Sequence, residues 1–340
     1  MPAVEAVPVV LRERSALEHY LIPLRPLLAD QDVTEVCINA PGEAFVERRA
    51  GWTRTALPFA SYEWCHHFAR LVAASTQQRV NAESPLLSAA LPTGERIQVV
   101  MPPACGAGTV AITIRRPSER VWGLKELASG GLFERCAVAG QATDASEGAL
   151  AELLERGEWE AFLRQAVRAK KNIIVSGATG SGKTTLTKAL VLEIPSGERL
   201  ITLEDAAELK LDRHPNAVRL FYSKDGQGLA KVTPKQLLES CLRMRPDRIL
   251  LAELRSDEAY YYLRNVNSGH PGSITSVHAS SANLAFEQLA LLVKESPAGR
   301  ELSRQEIHGL LHQLVDVVVQ CSIGGAKRQV TEIWFKGSRA

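Results

Sequence analysis

The 340-residue chain contains no C-x-x-C pair. Its six cysteines (Cys37, Cys65, Cys105, Cys136, Cys241 and Cys321) stand singly. That excludes a zinc ribbon or a dithiol redox motif and suits a reducing compartment. No segment approaches the ~18 consecutive apolar residues of a spanning helix. The first residues, "MPAVEAVPVVLRERSALEHY", lack a basic stretch leading into a long apolar one, so no secretion signal is expected. The expectation is a soluble protein, or one that touches a membrane from its cytoplasmic side. Charge of one sign is missing too: 40 basic and 38 acidic residues leave a net +2. Without a strongly basic domain there is little electrostatic footprint for nucleic acid. Aromatic residues are only 6% of the chain, so base-stacking platforms are few. No internal repeat is evident.

What is present is ordinary globular material, 45% hydrophobic and 23% charged, which argues against long-range disorder. The length exceeds one ordinary core and predicts one large or two medium domains. Residues 11–28 read as a helix interrupted by Pro23 and Pro26, and "VTEVCINAPGEAFVERRAGW" as two strands around a Pro-Gly turn at 41–42. Residues 62–78 have helical apolar spacing that fits a core helix rather than a lipid anchor. "RIQVVMP" and "TVAITIRRP" read as further strands. Residues 1–120 are therefore expected to form a compact α+β domain.

Residues 121–149 change in character, with "ASGGLFERCAVAGQATDASEGA" small, polar and aperiodic, and are expected to be a linker. A helix over 150–171, divided near Gly157, leads into an alternation of short apolar strands with helices across 150–340. That pattern predicts a buried, mainly parallel α/β sheet with helices on both faces. Thr233-Pro234 is a helix start, with Thr as cap and Pro at the first helical position.

"GATGSGKT", Gly177 to Thr184, matches G-x-x-x-x-G-K-[ST] and sits between the strand "NIIVSG" and a helix. Gly177, Ala178, Thr179, Gly180, Ser181 and Gly182, with Lys183, Thr184 and Thr185 behind them, are the expected phosphate cradle. Backbone amides and the positive end of the helix favour anionic oxygens there. Lys183 would reach the β- and γ-phosphates, and the Thr184 hydroxyl would hold Mg2+.

Hydrolysis further requires a carboxylate to orient water and help organise the metal. "LITLEDAAEL" places Glu204 and Asp205 after one apolar run, and "RPDRILLAELR" places Glu253 after another. Ligands gather at the carboxyl ends of parallel strands, so these acids should converge on the loop. Asp205 is equally well explained as a helix cap. Arg96, in "TGERIQ", and Arg115, with Arg116 at the end of "AITIRRP", are candidate arginines supplied from the first domain as it closes over the nucleotide. Singly, each is also explained as a surface arginine. "SGHPGSITSVHAS" holds His270 and His278 on either side of a strand-like run.

Taken in order, "GATGSGKTT", "ITLEDAAEL", "RPDRILLAELR" and "SGHPGSITSVHASS" resemble the traffic ATPases of bacterial secretion. The resemblance is strongest to the hexameric ATPase of type IV, conjugation-type secretion, and covers about residues 15–335. It implies a RecA-like P-loop NTPase domain preceded by the smaller α+β domain, with ATP and Mg2+ as cofactors. It also implies a homohexamer at the cytoplasmic face of the inner membrane, partnered by inner-membrane secretion components. Lys183 and Thr184 would serve phosphate and metal. Glu204 and Glu253 would serve water activation and metal organisation, with the choice of base left open. His278, and less directly His270, would lie near the γ-phosphate, and Arg96 and Arg115 would match the first-domain arginines. For His270 a histidine held by backbone is an equally good account. Glu253 stands where a standard Walker B strand has Asp, a departure the superfamily shares. A type IV pilus or type II secretion ATPase is the alternative, although the four-cysteine zinc module of many such relatives is lacking. A ring-shaped nucleic-acid motor is the alternative of another class. The length of 121–172 would also let one chain's second domain pack against a neighbour's first.

Overall fold

The computed structural model describes residues 16–118, 120–134, 136–138, 145–223, 228–325 and 327–338. The start of the expected first helix and residues 139–144 of the expected linker lie outside them.

The first six strands are Val33–Ala40 (β1), Glu43–Arg48 (β2), Gly51–Ala56 (β3), Leu86–Ala90 (β4), Arg96–Val100 (β5) and Ala111–Arg115 (β6). They form one antiparallel sheet in the order β3-β2-β1-β6-β5-β4. The Pro-Gly turn closes the β1–β2 hairpin because Gly42 adopts φ +84°, a left-handed conformation favourable only to glycine. Helix α1 (Tyr62–Ser75) starts at Ser61, whose hydroxyl accepts from Trp64 N. Its apolar stripe of Cys65, Phe68, Ala69 and Val72 is buried on the sheet against Leu17, Ile38 and Ile112. Burying Phe68 alone contributes roughly 1.5–3 kcal/mol.

The segment after β6 is less irregular than its composition predicts. Gly123 starts a short helix, Leu124–Ser129, in which no residue is buried, and helix α2 (Ala145–Glu155) begins within the expected linker. Good helix formers, Leu, Ala, Glu and Lys, account for both. Gly157, at φ +71°, separates α2 from α3 (Trp159–Arg168), as its composition suggests.

Among the described residues, seven strands build the second half: Ile173–Gly177 (β7), Leu200–Glu204 (β8), Ala217–Phe221 (β9), Arg248–Leu251 (β10), Ile274–Val277 (β11), Val317–Gly324 (β12) and Lys327–Phe335 (β13). Parallel pairing joins β10-β8-β9 and β11-β7-β12, and β13 returns antiparallel to β12. Leu254 N donates to Ser276 O at 2.8 Å and Ser276 Oγ donates to Ala252 O at 3.0 Å. These bonds set β10 beside β11, so the layer runs β9-β8-β10-β11-β7-β12-β13. Helices α4 (Lys183–Leu192), α5 (Pro234–Cys241), α6 (Glu258–Asn267), α7 (Ala282–Glu295) and α8 (Arg304–Leu314) cover its faces. Apolar cores lie on both sides of the layer, and α5 opens with a full capping box at Thr233 and Gln236.

The two halves are joined by more than a linker. Phe221 N donates to Ala104 O at 2.9 Å, and Cys105 bridges Leu220, so the bend between β5 and β6 extends the layer at β9. Val100, Ala104, Cys105 and Ala111 enter the core of the second half. Beneath them lies Arg199, fully buried, whose guanidinium donates to Met244 O, Asn39 Oδ1, Asn216 Oδ1 and Thr113 Oγ1. Two of those acceptors belong to the first sheet. A buried charge held by four neutral acceptors is costly to expose unpaired, so this contact locks the halves together.

Candidate active site

β7 stops where the chain must turn away from the sheet. At Gly177 (φ +154°) an added Cβ would sit 2.5 Å from both Cys321 O and Ser181 Oγ, so only glycine fits. The loop then wraps to Gly182, which precedes α4 at φ +99° and offers no side-chain cap. The first amides of α4 are thus left for an anion, with the helix dipole behind them. Thr184 and Thr185 are exposed at this mouth.

Lys183 is buried, and its ammonium folds back onto the loop, donating to Gly177 O at 2.8 Å and Ala178 O at 3.1 Å. Burial draws its pKa below the ordinary value, and the Glu253 charge opposes that shift. On its other side the ammonium lies 3.3 Å from His278 Nδ1. His278 Nε2 in turn lies 2.6 Å from Glu253 Oε1. Because the ammonium can only donate, Nδ1 is the acceptor and the ring proton sits on Nε2, facing the carboxylate. Loop, β11 and β10 therefore contribute one group each to a continuous line: Lys183, His278, Glu253.

Glu253 follows β10, and its side chain is 13% exposed. Oε2 is held by the Arg255 guanidinium, which also reaches Asp205 Oδ2 at 3.0 Å. Oε1 is buried and, although His278 Nε2 lies 2.6 Å away, it accepts no hydrogen bond of good geometry among the described residues. Arg255 keeps a raised pKa in spite of its burial, because Glu253 and Asp205 hold its charge. The sequence pattern does not single out Arg255, although it lies only two residues beyond Glu253.

Glu204 has different surroundings. It is fully buried at the end of β8 and paired twice with Arg219 of β9, at 3.0 Å on each oxygen. It also accepts from Thr202 Oγ1 at 2.7 Å, Glu208 N at 2.8 Å and Leu209 N at 2.9 Å. Five donors saturate the carboxylate and tie down the loop that follows. Sequence reasoning finds Glu204 but not Arg219, because β9 carries no motif.

His270, Arg96 and Arg115 stand elsewhere. β11 separates His270 from His278 and by itself spans about 13 Å. His270 precedes the strand and His278 follows it, so only His278 reaches the phosphate loop. His270 lines a cleft with Glu35, Arg115, Lys170 and Arg245 at the amino ends of the parallel strands. Burial and Arg245 lower its pKa. Arg115 pairs with Glu35 at 3.5 Å, and Arg96 lies opposite Arg115 in the β5–β6 register. Here these arginines stand at the amino ends of the parallel strands, away from their own chain's phosphate loop.

The sequence matches the type II/IV secretion system protein family over residues 149–334. It is 48% identical over 326 residues to the type IV secretion system protein VirB11 of Bartonella quintana, covering 93% of this chain and 91% of that protein. The crystal structure of the Brucella suis VirB11 ATPase, in complex with sulphate, superposes with a TM-score of 0.91 at 46% identity, covering 96% of each chain. The chain belongs to the VirB11 family of type IV secretion ATPases. The PtlH protein of Bordetella pertussis, another type IV secretion component, is 42% identical over 327 residues and covers 95% of this chain. As a VirB11-family ATPase, the chain has the expected α/β architecture, a P-loop domain preceded by an α+β domain. Among the described residues, no helix is long and apolar enough to cross a membrane.

Proposed function

We propose that this chain hydrolyses ATP with Mg2+ to energise type IV secretion, as a homohexameric ring at the cytoplasmic face of the inner membrane. The observation that carries the proposal is the line Lys183–His278–Glu253 beside an uncapped helix start.

Among the described residues, no three His, Cys, Asp or Glu gather into a metal cage. That agrees with Mg2+, which in such sites takes few protein ligands and relies on substrate phosphates. The exposed Thr184 hydroxyl and the unfilled lone pair of Glu253 Oε1 fit it. When bound, the metal would neutralise charge on the phosphate oxygens. Glu204 would have to give up Arg219 to serve as a ligand, so its role here is to anchor the loop.

The α4 amides hold the phosphates, and Lys183 leaves the carbonyls of Gly177 and Ala178 for the γ-phosphate oxygens. Glu253 orients a water and takes its proton as the oxygen attacks phosphorus. His278 touches both groups. Loss of the γ-phosphate frees Lys183, which changes what the imidazole meets and passes the event to β11.

Arg255 already stands in the site, on Glu253 and Asp205; a first-domain arginine would have to come from another chain, since Arg115, with Arg96 opposite it, lies at the amino ends of the parallel strands. A neighbouring copy would bring its first-domain arginines to this loop, with residues 121–149 giving the reach. Domain closure then acts between neighbours in the ring.

The test is steady-state phosphate release by the purified full chain, with Lys183→Ala as the blank and with or without single-stranded DNA. The expected result is turnover that requires Lys183 and ignores DNA. Turnover independent of Lys183 would overturn the assigned site, and a ten-fold stimulation by DNA would make the chain a nucleic-acid motor.

A further inference from the structure

β12 outruns its neighbour. It pairs with β7 as far as Cys321, which lies opposite Gly177, where β7 gives way to the phosphate loop. Ser322, Ile323 and Gly324 continue past that point, and β13 returns through Lys327, Arg328 and Gln329. The end of the hairpin therefore stands beside the phosphate loop rather than beside a strand.

Two side chains on it face the loop. Arg328 Nε donates to Gly180 O at 3.1 Å. Its Cδ lies 3.2 Å from where a Cβ on Gly182 would be, so the arginine stem covers the loop closely. The Ile323 Cδ1 atom lies 3.9 Å from the corresponding point on Gly180, yet Ile323 is 55% exposed. Ile323 and Arg328 are partners in the β12–β13 register and so share one face of the hairpin; an apolar side chain left open beside a guanidinium is the kind of wall that a flat, partly apolar ligand packs against.

The order of strands decides which end of a nucleotide this is. Glu253 and His278 come from β10 and β11, on one side of β7, and β12 lies on the other. The hydrolytic groups fix the γ-phosphate on the β11 side. A triphosphate laid along the loop then carries its nucleoside toward β12. On the β11 side the neighbours of Lys183 are His278, Glu253, Arg255 and Asp205, a charged group that offers no apolar face to a base.

Building on the ATPase reading, we infer that the hairpin of β12 and β13 is the nucleoside wall of the site. Ile323 and the Arg328 guanidinium, once it leaves the Gly180 carbonyl, pack side by side on one face of the base. Arg328 and Ile323 thus recognise the nucleoside, while the amides of α4 and Lys183 recognise the phosphates.

The experiment compares ligands with and without a nucleoside on the intact chain. Displacement of a fluorescent ADP analogue is measured with ADP and with inorganic tripolyphosphate as competitors, for the natural chain and for Ile323→Ala, Arg328→Ala and Arg328→Lys. Equal thermal melts establish that the variants fold; Arg328 is exposed, so the lysine variant guards against a folding defect in the alanine one. Each substitution is expected to weaken ADP about ten-fold and to leave the inhibition constant of tripolyphosphate unchanged. The KM for ATP rises in step, with kcat falling less than about three-fold. Arg328→Lys behaves like Arg328→Ala, because a lysine keeps the charge and loses the plane. Parallel weakening of tripolyphosphate would make Arg328 a phosphate ligand and overturn the inference, as would unchanged ADP affinity. If the natural chain binds neither ligand in a Lys183-dependent way, the ATPase reading fails, and the nucleoside wall with it.

Discussion

His278 stands between Lys183 and Glu253, 3.3 Å from the ammonium and 2.6 Å from the carboxylate. One imidazole thus touches both the group proposed to hold the γ-phosphate and the group proposed to activate water. Replacing His278 with Ala should lower kcat about 10- to 100-fold by loosening Glu253, while nucleotide affinity changes less than about three-fold. Parallel measurements of phosphate release and ADP binding check this. An equal loss in both would reduce His278 to a structural support.

Glu204 and Arg219 make a prediction about stability. Removing the guanidinium with Arg219→Ala leaves a fully buried carboxylate short of two donors. The cost is about 2–3 kcal/mol, at the low end for a broken buried pair because Arg219 is 33% exposed and water can enter. Denaturant unfolding should show a lower midpoint, and hydrogen exchange should quicken at Glu208 and Leu209, whose amides Glu204 accepts. An unchanged midpoint with lost turnover would instead place Arg219 in the chemistry.

Glu35 gives a pH dependence. Burial raises its pKa from 4.5 to about 7, with Arg115 opposing the rise. Between those values the folded chain keeps a proton that the unfolded chain has released, so stability falls as pH rises through this window and levels off above it. The full shift corresponds to about 3 kcal/mol at most. Glu35→Gln should therefore be more stable than the natural chain at pH 8 and lose that advantage at pH 4.5. Melting curves at the two pH values decide it; a constant difference would show that Glu35 titrates normally.

The position of Arg115 predicts complementation. Lys183→Ala and Arg115→Ala chains should each be nearly inactive alone. Mixed in equal amounts, they should recover about a quarter of full activity if each site joins one chain's loop to a neighbour's arginine. A site assembled within one chain would recover nothing.

The candidate site was legible in the sequence because its boxes are local. "GATGSGKT" must be a loop between strand and helix, and Glu253 and His278 each end an apolar run, so parallel pairing brings them to one edge of the layer. His270 was grouped with His278, though less directly, because sequence spacing does not show that β11 separates them. Arg115 was assigned to its own chain's nucleotide because the Arg199 contact, made to Asn39 and Thr113 some 160 and 86 residues away, leaves no local pattern. For the same reason the Arg219–Glu204 pair of β9 and the Arg328 contact of the β12–β13 hairpin emerge only from tertiary pairing. The helices at Leu124–Ser129 and Ala145–Glu155 were hidden by small residues that suit a linker equally well.

The most direct test of the hydrolytic assignment is Glu253→Gln. Its amide keeps the shape of the carboxylate but cannot take a proton from water. ATP binding should stay within about three-fold of the natural chain, while single-turnover hydrolysis falls by about 100-fold or more. Turnover that survives this substitution would contradict the account and move the general base away from the line Lys183–His278–Glu253.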